Sequence, residues 1–373
     1  MKIGIPKEIK NRENRVGMTP SGVDNLIRSG NEILIESNAG LGSGYSDDQY
    51  KNVGAKIVNV DVAWSADMVI KVKEPMKEEY KYFRPNLIIY TYMHLAANKE
   101  LTEELMAKKV TSVAYETMIG PKGGLPLLVP MSEIAGRMSV QVGTHFLEQI
   151  NGGKGVLIGG VPGVRRGNVT IIGAGSVGFN AAKIAIGMGA NVTILDINAQ
   201  RLAEIEDIFD GKINTLISNT HNIAESVKKS DIVVGAVLIP GAAAPKLVTK
   251  EMVASMEPGS VVVDIPIDQG GIFETSTHAT THDNPVYKVN DVIHYTVANI
   301  PGAVPKTATE ALSSATLPYA LQIANKGLIE ASNNFTIQSG INTFDGMLTE
   351  GAVSESLNIP FHKFTNLSES VKS

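Results

Sequence analysis

Apolar and polar residues alternate in short blocks along the first third of the chain. KIGIP (2–6) reads as a strand. EILIE (32–36), AKIV (55–58), DMVIKV (67–72), NLIIY (86–90) and TSVA (111–114) follow as further short apolar runs. Between the first two, Thr19 and Pro20 form an N-cap and N1 pair that opens a helix to about residue 29. Short buried strands alternating with helical segments predict an α/β layer with a mostly parallel sheet.

The blocks then lengthen. SEIAGRMSVQVGTHFLEQI (132–150) reads as one long helix capped by Ser132, and a glycine-rich loop (151–167) leads out of it. Next come a strand, VTII (169–172), a small-residue helix, AAKIAIGMGA (181–190), and a second strand, NVTIL (191–195). NTLIS (214–218), DIVVGAV (231–237), GSVVVDI (259–265) and VIHYTV (292–297) read as four more buried strands. Residues 132–297 thus account for both halves of a doubly wound dinucleotide fold. Beyond Pro305 the pattern turns helical over 307–332, with a kink or break expected at Pro318 and no sheet of its own. That segment is expected to return to the first domain. The predicted fold class is therefore α/β with two doubly wound domains. One comprises 1–130 with 304–373, and the other, 131–303, is inserted into it. The polar tail after about 359 is expected to fray.

The turn at 173–178 carries the sharpest local signal. Gly173, Gly175 and Gly178 stand at G-x-G-x-x-G spacing, with Ser176 and Val177 starting the helix. The first glycine permits the tight turn, the second lets backbone approach a pyrophosphate, and the third lets helix pack on strand. The helix N-terminus adds free N–H groups and the positive dipole end. Asp196 ends the second strand, where a carboxylate accepts from the ribose hydroxyls and repels a 2′-phosphate. The expected cofactor is NAD rather than NADP.

Composition narrows the class. The chain has 373 residues and a net charge of −5, with no basic block, so nucleic acid is not an expected partner. It has no cysteine, which removes disulfide and thiolate chemistry. The longest uncharged apolar run, 232–245, holds prolines and glycines and is too short to span a bilayer. MKIGIPKEIK is not a signal peptide. No membrane association and a cytoplasmic location are expected.

Catalytic candidates lie just past predicted strands, where α/β sheets bind ligands. Arg15 follows the first strand and can clasp a carboxylate through two parallel bonds, though an arginine there is ordinarily solvated. Lys71 and Lys73 close DMVIKVK two residues apart, on one face if the strand runs that far, and pattern alone does not choose between them. His94 follows NLIIYTYM and has a side chain suited to proton transfer near neutral pH, or to a purely structural hydrogen bond. No histidine pair, His278, His282 and His294 included, has metal-ligand spacing, so no metal is expected. Asp268 precedes a Gly-Gly pair, as a turn former or a cleft carboxylate near the nicotinamide. Asn299 follows the last strand, where it can bond nicotinamide or simply shape a turn.

Taken together, PKEIKNRENRVGMTP, IKVKEP, YTYMHLA, MSEIAGRMSVQVG, IIGAGSVGFNAAKIA, DIPIDQGG and HYTVANIPGAVPKTAT resemble the alanine dehydrogenase family, in order, from residue 1 to about 350. The resemblance implies that Arg15 and Lys73 bind the substrate carboxylate, with Lys73 also near the reacting carbonyl or imine. It implies that His94 is the general acid/base and that Asp268 completes the catalytic set from the cofactor side. It places Ser132, Asp196, Arg201, Ser218, Val237, Leu238, Ile267 and Asn299 around NAD. It further implies reversible oxidative deamination of L-alanine to pyruvate and ammonium by a homohexamer. Pro266 departs from the alanine common in the family, Ile300 from methionine, and STHATTHDNP is about one residue longer than usual. The competing readings are the NAD(H)-binding component of a proton-translocating transhydrogenase and a non-catalytic NAD-sensing protein. The first lacks support in SEIAGRMSVQV, and the set Arg15, Lys73, His94 and Asp268 disfavours the second.

Overall fold

The computed structural model describes residues 1–238 and 243–364. They divide into two compact units, Met1–Met131 with Val304–Ser373, and Ser132–Ala303. Each unit is built on one sheet.

The first unit holds an eight-stranded sheet. Its strands are β1 (Lys2–Ile5), β2 (Glu32–Glu36), β3 (Lys56–Val58), β4 (Met68–Ile70), β5 (Ile88–Thr91), β6 (Thr111–Ala114), β14 (Ile341–Phe344) and β15 (Met347–Leu348). The order β15-β14-β6-β5-β4-β1-β2-β3 is parallel through β6, and β14 and β15 add an antiparallel margin. Strand alternation feeds two cores. Ile3, Met68, Ile70 and Tyr90 face one side, where the helix Pro305–Lys326 contributes Leu312 and Ile323; Val69 and Ile89 face the other, with Trp64, Leu101 and Leu105. Thr19 caps the helix Pro20–Arg28 as expected, its hydroxyl accepting from Gly22 N at 3.2 Å.

The second unit holds a seven-stranded sheet. Its strands are β7 (Asn168–Ile172), β8 (Asn191–Asp196), β9 (Asn214–Ile217), β10 (Ile232–Gly235), β11 (Val261–Asp264), β12 (Val286–Val289) and β13 (Val292–Tyr295). The order β12-β13-β11-β10-β7-β8-β9 is parallel except for β12. In each sheet the chain leaves a central strand toward one edge and returns on its other side. These reversals, β1 beside β4 and β7 beside β10, open the crevices where such folds take ligands.

Several expectations need correction. Ser132 does not cap the long helix; the helix spans Val129–Leu147 and Ser132 lies within its first turn. β9 is an edge strand with Asn214, Leu216 and Ile217 exposed, so its apolar side chains mark no buried layer. Pro318 does not break its helix, which continues to Lys326. Burial of Leu312, Thr316, Ala320 and Ile323 around it outweighs the proline penalty of about 3 kcal/mol. The C-terminal segment is not purely helical, since β14 and β15 extend the first sheet. The tail is anchored farther than expected: Phe361 bridges to Leu348, and Phe364 is buried with its ring 5.1 Å from that of Phe344. The rest of the tail, 365–373, lies outside the described residues, as does 239–242 of the apolar run. No helix among the described residues is long and apolar enough to cross a membrane.

Candidate active site

The first unit presents Arg15, Lys73 and His94 on the segments that leave β1, β4 and β5, three adjacent strands flanking its reversal point. Arg15 is not a solvated arginine: it is 2% exposed. Its Nε and Nη2 donate to Glu13 Oε1 and Oε2, both at 2.7 Å, and its Nη1 lies 3.1 Å from Met131 Sδ. Burial opposes both charges, but the mutual pairing prevails, lowering the Glu13 carboxyl and raising the guanidinium from their usual values. Glu13 therefore fixes the arginine fork before any ligand arrives.

The two lysines left open by pattern have different surroundings. β4 ends at Ile70, so neither lies on the strand. Lys71 is sealed into the core, its Nζ donating to Glu8 at 3.1 Å and Glu79 at 3.0 Å. Glu8 turns its other oxygen to the amides of Val72 at 2.6 Å and Lys73 at 3.3 Å. Burial pushes the Glu8 carboxyl upward despite Lys71. Among the described residues, the Lys73 ammonium has no hydrogen-bond or ion-pair partner. Burial, then the charges of Arg15 and Lys10, push it below the ordinary lysine value, against the pull of Glu74 and Glu13. Lys10 pairs with Glu74, linking the segments after β1 and β4. An under-neutralised group of cations is suited to a carboxylate ligand.

His94 is exposed and adopts a left-handed conformation, φ 51°. Its ring stacks near that of the buried Tyr92, centroids 6.3 Å apart. Its backbone amide donates to Glu116 at 2.5 Å, as does that of Met93 at 3.0 Å. Sequence reasoning missed Glu13, Glu8 and Glu116. A glutamate two residues before the arginine was the one available signal, and nothing local marks Glu116.

In the second unit the three glycines have three different reasons. Gly173 has φ 105°, and a side chain there would press on the Ala236 backbone and on Val237. A Cβ on Gly178 would overlap the Gly173 carbonyl oxygen. A Cβ on Gly175 would meet nothing within 4 Å. That last glycine thus keeps space clear in front of the helix Ser176–Gly187, whose first turn begins with Ser176 and Val177. The fold itself does not require it to be small, which fits a pyrophosphate seat. Asp196 Oδ2 accepts from Ala174 N at 2.7 Å and Oδ1 from Asn198 N at 2.9 Å, leaving lone pairs for ribose hydroxyls. A depression beside it is lined by Ala174, Gly175, Asp196, Asn198, Arg201 and Glu204. Arg201 is held by the Ala174 carbonyl at 3.0 Å and by Glu204 at 2.9 Å, over the Phe179 ring. Ser218 N donates to the Asp196 carbonyl at 2.9 Å, tying the ends of β8 and β9 together.

Val237 and Leu238 leave β10, the first half-buried and the second exposed. Ile267 and Asp268 lie in the short 3-10 turn Ile265–Gln269 after β11, Ile267 buried and Asp268 exposed. Pro266 departs from helical geometry within that turn. Buried Asp264 shapes the loop that follows by accepting from Ile272 N at 3.0 Å. Asn299 is left-handed, φ 61°, and its carbonyl accepts from Gly302 N at 2.9 Å. Ser132 is half-buried at the start of its helix. Among the described residues no three His, Asp or Glu side chains cluster to hold a metal.

A unit with a glycine-turn dinucleotide fold, joined to a unit with carboxylate-ready cations and a histidine, defines an oxidoreductase of the amino-acid or hydroxy-acid dehydrogenase type. The chain belongs to the alanine dehydrogenase/PNT family, whose N-terminal domain model matches residues 4–135 and whose C-terminal domain model matches 139–351. It is 58% identical to an alanine dehydrogenase of Staphylococcus epidermidis, over 100% of both chains. It is 59% identical to that of Geobacillus stearothermophilus, over 97% of this chain and 98% of the other. A solved L-alanine dehydrogenase superposes with a TM-score of 0.94 at 48% identity, covering 96% of this chain and 99% of that one. A transhydrogenase from Sinorhizobium meliloti superposes with a TM-score of 0.82 at 25% identity, covering 94% and 100%.

Proposed function

We propose that the protein catalyses the reversible, NAD-dependent oxidative deamination of L-alanine to pyruvate and ammonium. The first unit holds the substrate and the second the dinucleotide. Full-length relatives named alanine dehydrogenase support the reaction. The observation that carries the substrate site is the half-buried ammonium of Lys73, which has no ion-pair partner among the described residues and feels the charges of Arg15 and Lys10.

Gly173, Gly175 and Gly178 with Ser176 and Val177 hold the pyrophosphate, and Asp196 holds the ribose. Arg201, Ser218, Val237, Leu238, Ile267, Asn299 and Ser132 complete the NAD site. When bound, NAD accepts the hydride that leaves alanine Cα. Arg15 and Lys73 bind the carboxylate and orient that carbon. Once the substrate is an iminium, water adds to the carbon and His94 takes the water's proton. His94 then returns that proton to nitrogen; as the C–N bond breaks, the carbinol oxygen becomes the carbonyl and gives its own proton to His94, leaving pyruvate and ammonia, which takes up that proton and departs as ammonium. Asp268 stabilises the cationic intermediate. Assembly as a homohexamer in the cytoplasm belongs to the same proposal. NADH formation screened with alanine, serine, glycine and lysine tests the reading, with pyruvate and ammonium as the expected products. NADH binding without turnover of any amino acid contradicts it.

A further inference from the structure

His94 follows β5, at a point where the ladder to the neighbouring strands has ended. Two consecutive amides, of Met93 and His94, are there left without a sheet partner. Both turn to one carboxylate. Met93 N lies 3.0 Å from Glu116 Oε1 and 3.1 Å from Oε2, and His94 N lies 2.5 Å from Oε1. Glu116 stands in the short turn Tyr115–Thr117 that follows β6, the strand paired to β5. The same span contains the left-handed residue His94, φ 51° and ψ 37°. For a non-glycine residue this conformation is disfavoured, and it persists where surrounding bonds impose it. Charge-assisted bonds from two successive amides are enough to impose it.

We propose that Glu116 is a positioning residue for the reaction: its carboxylate clamps the 93–94 amides, holds His94 left-handed, and so aims the imidazole at the substrate. The proposal rests on the reading of His94 as the acid/base. Arg15 and Lys73 leave other strands, while the bonds to Glu116 come from the Met93 and His94 amides. Loss of the clamp therefore misplaces the proton-transfer group and spares carboxylate binding.

The test is a double-mutant cycle on the full-length enzyme with alanine and NAD. Glu116→Gln keeps the size and one acceptor oxygen but loses the charge. Its kcat is expected to fall about 10- to 100-fold, as for loss of hydrogen bonds to a charged group. Its KM for alanine and its affinity for NADH are expected to stay within about threefold of wild type. The limb of the kcat–pH profile that His94→Ala abolishes is expected to move in Glu116→Gln. Glu116→Asp, which keeps the charge, is expected to recover part of the rate. On a His94→Ala background, Glu116→Gln should cost nothing further, because the clamp then has no acid/base to aim. A full additional loss on that background overturns the clamp, as does wild-type kcat in Glu116→Gln while His94→Ala is slow. Wild-type kcat in His94→Ala instead overturns the underlying reading of His94. If Glu116→Gln does not fold, the cycle is run with Glu116→Asp, whose smaller loss must likewise vanish on the His94→Ala background.

Discussion

Lys71 and Lys73 are two residues apart, and their exchange for methionine should separate stability from catalysis. Lys71 holds two carboxylates with none of the three side chains more than 5% exposed, at 3.1 Å to Glu8 and 3.0 Å to Glu79. Removing one partner from such a buried network costs about 3–5 kcal/mol, because charge is left without compensation. Glu8 and Glu79 keep their backbone donors, Val72 N and Met76 N, which places Lys71→Met toward the lower end. Lys73→Met breaks no ion pair among the described residues and removes a half-buried cation that feels the like charges of Arg15 and Lys10, so stability should hold or rise slightly. With Lys73 in the proposed carboxylate-binding role, it instead loses a charge-assisted bond worth about 1.5–3 kcal/mol, or about 10- to 150-fold in kcat/KM. Trp64 is the lone tryptophan, is buried in the same unit, and lies 5.9 Å beneath Lys71 Nζ, so its fluorescence reports urea unfolding of that unit. Lys71→Met should lower the urea midpoint while retaining most of kcat/KM wherever it is folded. Instability of Lys73→Met, or wild-type stability with loss of alanine binding in Lys71→Met, would reverse the two roles. Lys71 is raised from its ordinary value by Glu8 and Glu79, against burial. Its contribution is therefore full below the unfolded lysine value and is lost as pH rises through the higher folded one.

Other consequences follow from the same geometry. Gly175→Ala should melt like wild type and bind NADH more weakly, whereas Gly178→Ala should lose stability through its clash with the Gly173 carbonyl; thermal melts with and without NADH separate the two. Asp196→Ala should weaken NAD and relax discrimination against NADP, and an unchanged coenzyme preference in initial rates would remove the ribose role. Because Lys73 is depressed by burial and by Arg15 and Lys10, binding of a simple carboxylate such as propionate should weaken with rising pH below the ordinary lysine value. Calorimetric titration should show that limb in wild type and not in Lys73→Arg; a limb in both contradicts the assignment.

The sequence made the central parallel strands legible because each is a short β-branched run bounded by turn residues. Thr19-Pro20 and the 173–178 turn were legible because capping and positive φ restrict residue type locally. Long-range terms hid the rest. β14 and β15 are short; β14 joins the sheet by pairing with β6, more than two hundred residues earlier in the chain, and β15 follows by pairing with β14. Ser132 resembles a cap, but the preceding 129–131 already continue the helix. Lys71 and Lys73 cannot be told apart by spacing, since Glu8 and Glu79 make the difference from elsewhere in the chain. Glu116 carries no signature, because its partners are backbone amides of a different strand's end.

The proposed reaction depends most on proton transfer by His94, which leaves one of three adjacent strands, the other two presenting Arg15 and Lys73. Initial rates of NADH formation from alanine and NAD, for wild type and His94→Ala at saturating substrate, test it most directly. Wild type is expected to form NADH in an alanine-dependent way. The variant is expected to show a kcat about 10²–10⁴-fold lower with NADH affinity preserved. Undiminished turnover in the variant would contradict it.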